Sequence, residues 1–260
     1  MNTSLKKRTI IVTGASSGIG WAIAQAVYAE GANVMLQGMN ISALSEKAAQ
    51  LGERAQWVAA DLADLAAIDR ITEATMDAFG AIDGLVNNAG LFPRSNIETD
   101  MPSQFDSVFH VNARAPLMLA QRLVQNCRAR KAPGAIVNIG SINAYCGAEM
   151  ILIYSMSKGA LMTMTRNLGD ALGEDQIRVN QLNVGWTLTE GEIGVQRASG
   201  APDDWYKNIN KLAAPRGTLL TPAEIASHVV FWLCDASIPV TGSVYEVEQY
   251  PVIGRNRAAG

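Results

Sequence analysis

Histidine and cysteine are scarce in this 260-residue chain, which holds two histidines and three cysteines. These residue types supply most zinc ligands in proteins, and the spacing of His110, His228 and the cysteines matches no zinc site. Cys127, Cys146 and Cys234 are widely separated and odd in number, which favours free buried thiols over a disulfide framework. The sequence therefore predicts neither a metal centre nor disulfides.

Long apolar runs and a charge imbalance are also missing. No apolar run approaches the roughly 18 residues of a membrane span. The short run IIV that follows the basic residues 6–8 is too short for a signal peptide, so the expected location is the cytoplasm. The formal net charge of -3, from 21 basic and 24 acidic residues, indicates neither nucleic acid nor a membrane surface as a partner.

Strand-like and helix-like segments alternate along the chain, from RTIIVTG to GSVYEVEQY. Ser42 is the expected N-cap of the second helix, and Pro222 stands just inside the last helix. Such alternation is typical of an α/β fold in three α/β/α layers, with a doubly wound parallel sheet. We predict one domain over residues 1–248, which includes an irregular segment at 186–217, and a C-terminal tail at 249–260.

The first predicted strand runs into the glycine-rich stretch TGASSGIG. At this turn of a doubly wound fold, glycines let the backbone approach a pyrophosphate, and the helix N-terminus offers free N–H groups. The spacing is G-x-x-x-G-x-G, and a tight turn without a ligand is the alternative. Its place after the first strand favours a dinucleotide site. The candidate residues are Gly14, Ser16, Ser17, Gly18, Ile19 and Gly20.

The stretch YSMSK places Tyr154 and Lys158 four residues apart, on one face of a predicted helix. A solvated surface pair is the alternative to a catalytic pair. Beside a nicotinamide cofactor, the charge of Lys158 is expected to lower the pKa of the Tyr154 phenol from about 10 towards neutrality. A phenol with such a pKa can act as a general acid or base on an alcohol.

These stretches, together with NNAG at 87–90, Asn112 and Ser141, resemble the short-chain dehydrogenase/reductase family in their order and spacing. The resemblance extends from Thr9 to about Glu248. It implies a single-domain Rossmann-type fold that transfers hydride between a nicotinamide cofactor and a carbonyl or alcohol.

The resemblance also implies four catalytic residues. Tyr154 transfers the proton, and Lys158 holds the nicotinamide ribose. Ser141 donates a hydrogen bond to the substrate oxygen, and Asn112 holds a water in a proton relay. From the residues alone, Ser141 could instead cap a turn, and Asn112 could be a helix-bending amide.

Further cofactor contacts are implied along the chain. Asp61 corresponds to an adenine contact, although an exposed acidic N-cap is an equal alternative, and Asn88 is better interpreted as a structural amide. Val184 stands where the family usually has proline, which leaves the exact contacts after the sixth strand open. The implied residues are Gly38, Asp61, Leu62, Asn88, Ala89, Gly90, Tyr154, Lys158, Gly185, Thr187 and Thr189.

The end of the second strand, LQGMN, distinguishes NAD from NADP. An acid there would bind the ribose hydroxyls, and a basic residue would pair with a 2′-phosphate. Gly38 stands in place of the acid, while Met39 and Ser17 stand where basic residues often occur in the family. Gly38 and Asn40 leave room for a phosphate without supplying positive charge. The sequence favours NADP only slightly.

We predict an NAD(P)-dependent oxidoreductase acting on a secondary alcohol or carbonyl. The expected cleft loops at 91–96, 142–152 and 186–216 mix polar and aromatic side chains, which suits a sugar or polyol. The alternatives are a 3-oxoacyl thioester reductase and a non-catalytic cofactor-sensing protein with the same fold. The family most often forms tetramers, so a homotetramer is expected. Apolar residues that fit either its interface or the core are Leu117, Met118, Leu161, Met162 and Met164.

Overall fold

The structure, a computed structural model, describes residues 3–99, 101–145 and 148–252. Seven strands in this part of the chain form one parallel sheet in the order β3-β2-β1-β4-β5-β6-β7. The strands are β1 (Thr9–Val12), β2 (Asn33–Gly38), β3 (Ala55–Ala59), β4 (Gly84–Asn87), β5 (Gly134–Ser141), β6 (Ile177–Val184) and β7 (Val244–Val247). Cys146 and tail residues 253–260 lie outside the described residues.

Helices cover both faces of the sheet. They are α1 (Gly18–Ala29), α2 (Ile41–Leu51), α3 (Ala66–Phe79), α4 (Pro102–Phe109), α5 (Ala115–Arg130), α6 (Leu152–Ala171), α7 (Glu190–Ala198) and α8 (Pro222–Leu233). One core packs α1 and α8 on the sheet through side chains such as Ile23 and Val229. The other packs α3 and α5 through Ile71 and Leu119. The three-layer, doubly wound prediction is confirmed.

Strand order reverses beside β1, which pairs with β2 on one side and β4 on the other. In a doubly wound sheet the helices turn to opposite faces at such a point, and a crevice opens at the carboxyl ends of the strands. A ligand site is therefore expected at the carboxyl ends of β1, β4 and β5.

The second helix begins at a different cap from the one that we predicted. Asn40 is the N-cap, and its Oδ1 accepts from Ala43 N at 3.1 Å. Ser42 lies within α2 and donates to the same oxygen at 2.8 Å. Asparagine is among the best N-cap residues, and it precedes the helix directly. The prediction of Ser42 was therefore wrong.

Side chains inside the sheet form a one-way series of hydrogen bonds, which we call the polar chain. Asn87 Nδ2 donates to Asn138 Oδ1 at 2.8 Å, and Asn138 Nδ2 donates to Thr165 Oγ1 at 2.8 Å. Thr165 Oγ1 lies 2.9 Å from Gln181 Oε1, and Gln181 Nε2 donates to Asn183 Oδ1 at 2.7 Å. All five residues are buried, and the polar chain gives partners to amide groups that would otherwise be costly to bury, although Asn87 Oδ1 has none.

Membrane-spanning helices and clusters of metal-ligating side chains are both absent from the described part of the chain. Their helices include none with the length and apolarity needed to cross a bilayer. Their His, Cys, Asp and Glu side chains form no group of three that could hold a metal ion. Cys127 and Cys234 are free and buried.

Candidate active site

The glycine turn after β1 packs against the end of β4 with no room for side chains. Gly14 and Gly18 have φ of +65° and +55°, a region that disfavours other residues. A Cβ on Gly14 would lie 2.9 Å from the Ala89 Cα, and one on Gly20 would lie 2.2 Å from the Gly14 carbonyl oxygen. The glycines are therefore required by close backbone approach.

Asn88 and Thr13 hold this turn to β4. The Thr13 hydroxyl oxygen accepts from Asn88 N at 2.9 Å and from Ala89 N at 3.0 Å. Asn88 Nδ2 donates to the Thr13 carbonyl at 2.9 Å. The Asn88 side chain thus faces the turn's backbone, as its interpretation as a structural amide expects.

Gln37 holds the turn from the other side, and sequence reasoning missed it. Its Oε1 accepts from Gly14 N at 3.1 Å, and its Nε2 donates to the Ala60 carbonyl at 2.8 Å. It therefore links the glycine turn to the ends of β2 and β3. The only sequence signal was a glutamine interrupting an apolar strand directly before Gly38.

The start of α1 fits the pyrophosphate of a dinucleotide. The N-cap Ser17 is exposed, has extended backbone and makes no side-chain capping bond. The first N–H groups of a helix have no partner within it, which leaves those of Gly18, Ile19 and Gly20 to face a ligand. Thr189 side-chain atoms would lie 3.5 Å from a Cβ on Gly18, so the loop after β6 reaches the same turn.

The predicted adenosine end lies at the ends of β2 and β3. A Cβ on Gly38 would lie 3.3 Å from Ser16 Oγ, which brings these two candidates together. Asp61 is exposed and accepts from Ala63 N at 2.9 Å, while Leu62 is buried. The Asp61 carboxylate thus accepts within a local turn, and it is not the N-cap of α3, which is Leu65. Asn87, the first residue of NNAG, is buried at the end of β4.

Lys158 is buried beneath Tyr154. Its side chain is 4% exposed, and its Nζ donates to the Ile139 carbonyl at 2.7 Å. The same Nζ lies 5.7 Å from the centroid of the Tyr154 ring. Burial lowers the pKa of Lys158 to about 8, because an ammonium group loses its hydration inside the protein. The surface-pair alternative does not hold for this lysine.

The lowering of the Tyr154 pKa that we expect beside a nicotinamide cofactor stays a prediction. In the chain alone, burial raises the pKa of Tyr154, and the neighbouring Ser141 only partly opposes that effect. The Lys158 ammonium lies towards the face of the Tyr154 ring and bonds to the Ile139 carbonyl. Tyr154 is thus protonated at neutral pH and suited to donate a proton.

Asn112 lies in a π-helical turn, His110–Arg114, between α4 and α5. Such turns are frequent at functional sites. The Asn112 side chain is 1% exposed and bonds both backbone groups of Leu91 at 2.8 Å. A Cβ on Gly90 would lie 3.4 Å from Asn112 Oδ1 and 3.6 Å from Lys158 Nζ. The three residues therefore meet at one point.

Ser157 joins Asn112 to the helix that carries Tyr154, and sequence reasoning did not single it out. It accepts from Asn112 Nδ2 at 3.0 Å and donates to the Tyr154 carbonyl at 2.7 Å. The serine lies between the two catalytic candidates in YSMSK, and it is completely buried. Only the tertiary contact reveals its role.

The segment after β6 turns back over the site. Gly185 N donates to the Val247 carbonyl at 2.9 Å, and a Cβ on Gly185 would lie 2.0 Å from Glu248 Oε2. Thr187 Oγ1 donates to the Gly185 carbonyl at 3.0 Å. The Thr189 hydroxyl oxygen accepts from Glu192 N at 3.1 Å and caps α7. These contacts hold the turn although Val184 replaces proline.

An aromatic cluster follows in the predicted substrate segment. Trp186 and Trp205 stack with ring centroids 5.4 Å apart, and Tyr206 meets Trp205 edge-on. Trp186 Nε1 donates to Glu192 Oε1 at 2.8 Å. The cluster joins α7 to the start of the segment, and its three aromatic residues are half-buried.

Comparison with known proteins matches both the sequence and the fold. Residues 14–249 match the family model described as enoyl-(acyl carrier protein) reductase. The chain is 32% identical over 250 residues to galactitol 2-dehydrogenase of Agrobacterium fabrum, covering 94% of this chain and 97% of that protein. L-sorbose reductase from Gluconobacter frateurii, solved with NADPH and L-sorbose, has a TM-score of 0.90 and 31% identity, covering 96% of this chain and 98% of that chain. A 3-ketoacyl-(acyl-carrier-protein) reductase from Brucella melitensis, solved with NADH, has a TM-score of 0.83 and 28% identity, covering 95% and 98%.

Proposed function

The chain belongs to the short-chain dehydrogenase/reductase family and is an NAD(P)-dependent oxidoreductase of secondary alcohols and carbonyls, and we propose that its substrate is a sugar or polyol. The observation that carries the catalytic part is the position of Tyr154, which lies beside Ser141 and whose ring centroid is 5.7 Å from the Nζ of the buried Lys158. The galactitol dehydrogenase and sorbose reductase relatives support the substrate class. The half-buried aromatic cluster suits the apolar face of a sugar ring.

In the proposed mechanism, the bound nicotinamide supplies or accepts the hydride. During reduction, Tyr154 donates its hydroxyl proton to the carbonyl oxygen, and during oxidation it takes that proton back. Ser141 donates a hydrogen bond to the same oxygen and stabilises the charge that develops there. Lys158 orients the cofactor ribose and stabilises the phenolate that remains after proton transfer. Asn112 fixes the loop at Leu91 beside Lys158.

The proposed cofactor site uses the glycine turn for the pyrophosphate and the residues after β6 for the nicotinamide amide. NADP is favoured slightly, because Gly38 leaves space and Ser16 lies beside it. Asn40 has fewer groups free to bind a 2′-phosphate than the sequence suggested, because its side-chain oxygen caps α2. Its amide N–H groups are the part left to bind a phosphate.

Gly38→Asp should shift the preference from NADPH towards NADH by at least about tenfold, since roughly 1.4 kcal/mol of charge repulsion suffices. A carboxylate there would accept from ribose hydroxyls and repel the 2′-phosphate. Titration with each reduced nucleotide, followed by nicotinamide fluorescence, measures the ratio of dissociation constants. Gly38→Asn is the matched control, because it adds the same bulk without charge. An equal shift in both variants would indicate crowding by Ser16 and Leu44 instead.

The substrate class is tested by comparing carbonyl substrates at saturating NADPH. We expect kcat/KM for a ketohexose or ketopentose to exceed that for a 3-oxoacyl thioester. The second candidate, a 3-oxoacyl thioester reductase, draws support from the matching family description and from the Brucella melitensis structure. A higher kcat/KM for the thioester would favour that candidate and contradict the sugar proposal. The non-catalytic alternative has no support from the relatives.

We further propose that residues 1–248 act as one domain and assemble as a homotetramer. Exposed apolar side chains on the helices near the site support an interface, with Leu117 of α5 40% and Met156 of α6 48% exposed. Leu161, which fitted either an interface or the core, lies in the core and is not available to a partner. Light scattering of the purified protein would test the tetramer. A cytoplasmic location stays a prediction, and cell fractionation would test it.

A further inference from the structure

The Ser141 hydroxyl accepts two hydrogen bonds from a single neighbour. Asn143 N lies 3.2 Å from Ser141 Oγ, and Asn143 Nδ2 lies 3.3 Å from the same oxygen. Both nitrogen groups can only donate, so Ser141 accepts in each bond. A hydroxyl has two acceptor lone pairs and one hydrogen. Asn143 therefore occupies both lone pairs.

The remaining capacity of Ser141 is its hydroxyl hydrogen. Ser141 lies beside Tyr154 and acts to lower the pKa of the phenol. Ser141 is also buried at the end of β5 and caps the short helical turn Ile142–Ala144. Its hydrogen is therefore the part of the hydroxyl that remains for the proposed substrate oxygen, beside Tyr154.

We propose that Asn143 is a positioning residue that fixes Ser141 as a hydrogen-bond donor, an inference that rests on the proposed function. A serine with a free lone pair can rotate and accept the proton of Tyr154. In that orientation it offers nothing to a developing oxyanion, and it holds back the proton that Tyr154 must transfer. The backbone N–H fills one lone pair, and the Asn143 amide fills the second. Asn143 acts through Ser141, without contact with the reacting atoms.

Asn143→Asp tests this directly, because the two side chains have nearly the same shape. An ionised carboxylate only accepts, so it should attract the Ser141 hydrogen and turn it away from Tyr154. We expect kcat to fall by about tenfold to a hundredfold at neutral pH. This decrease is somewhat smaller than the one caused by removing an oxyanion-stabilising donor altogether. NADPH affinity and Tm should stay unchanged. The loss of kcat should become smaller as the pH falls towards the pKa of the new carboxyl, because the protonated acid can donate to the Ser141 oxygen.

Asn143→Ala and Asn126→Asp are the comparison variants. The alanine variant keeps the backbone bond, so we expect a loss of a few-fold with no such pH dependence. Asn126 lies on α5 and accepts from Ile82 N at 3.1 Å, a role that a carboxylate retains. Asn126→Asp should therefore leave kcat unchanged. Equal losses in Asn126→Asp and Asn143→Asp would overturn the proposal.

A double-mutant cycle separates action through Ser141 from independent action. In a Ser141→Ala background, Asn143→Asp should cause no further loss of kcat, since residues in one network are not additive. A further loss equal to that in the wild-type background would overturn the proposal while leaving the proposed function intact. If the wild-type protein reduced no carbonyl with either nucleotide, the proposed function would fail, and this inference with it.

Discussion

Tyr154→Phe should lower kcat by about a hundredfold to ten-thousandfold, the usual contribution of a general acid or base. The variant loses only the hydroxyl that transfers the proton, and the ring still packs above Lys158. NADPH affinity should change little. The measurement is steady-state reduction of the best ketose, together with nucleotide titration. The residual rate would come from the orientation of substrate and cofactor alone.

Tyr28→Phe provides a matched control for this experiment. Tyr28 lies in the last turn of α1, beneath the guanidinium of Arg54, which is 3.8 Å from the ring centroid. Removing that hydroxyl should leave kcat within about twofold of wild type, as expected for a substitution away from the site. If Tyr154→Phe behaved like Tyr28→Phe, the phenol of Tyr154 would not be the proton donor.

Lys158→Met should lower kcat/KM by about a hundredfold to a thousandfold, because a charged group at the reacting centre is lost. Nucleotide affinity should also fall, in contrast to Tyr154→Phe, since Lys158 is proposed to hold the ribose. Lys47→Met is the control, because Lys47 lies on α2, 4.8 Å from the Trp21 ring centroid. Full nucleotide affinity in Lys158→Met would contradict the ribose contact.

Comparison with Lys158→Met should also show that the buried Lys158 ammonium destabilises the folded state. Its pKa is lowered from 10.5 to about 8 in the folded chain, so the unfolded chain binds the proton more tightly between these values. Below about pH 8 the folded state bears the penalty of a buried charge, and the penalty disappears as the pH rises towards 10.5. Between pH 7 and pH 9, the free energy of unfolding of wild type should therefore rise by about 1 kcal/mol relative to that of Lys158→Met.

Denaturant unfolding of both proteins at the two pH values measures this difference. The change with pH isolates the titrating lysine, since the lost bond to the Ile139 carbonyl affects both pH values equally. An unchanged difference between the proteins would mean that Lys158 keeps an ordinary pKa.

The parts of the site predicted from the sequence are those that depend on local spacing. The glycine turn, the strands and the pair Tyr154 and Lys158 are each encoded within a few neighbouring residues. Gln37 and Ser157 escaped prediction because their partners are distant in the chain, at Gly14 and Asn112. Such contacts arise only after the sheet and helices have packed.

One expectation failed because competing local effects could not be weighed in advance. Asn40 and Ser42 are both good caps, and only the position of the first helical turn selects Asn40. The pKa of Tyr154 depends on burial as well as on the nearby charge, and the sequence reveals the charge but not the burial. The π-helical turn at Asn112 likewise depends on the loop that this amide binds.

The polar chain within the sheet constrains how this protein can vary. The amides of Asn87, Asn138 and Gln181 each donate to the next residue of the polar chain, so the orientation of one group determines that of the next. Replacing a middle member such as Asn138 would leave a donor on one side and an acceptor on the other without partners, at about 1–3 kcal/mol each. Folded proteins that evolve from this sequence should therefore change such positions together. We expect these paired substitutions in β4, β5, β6 and α6.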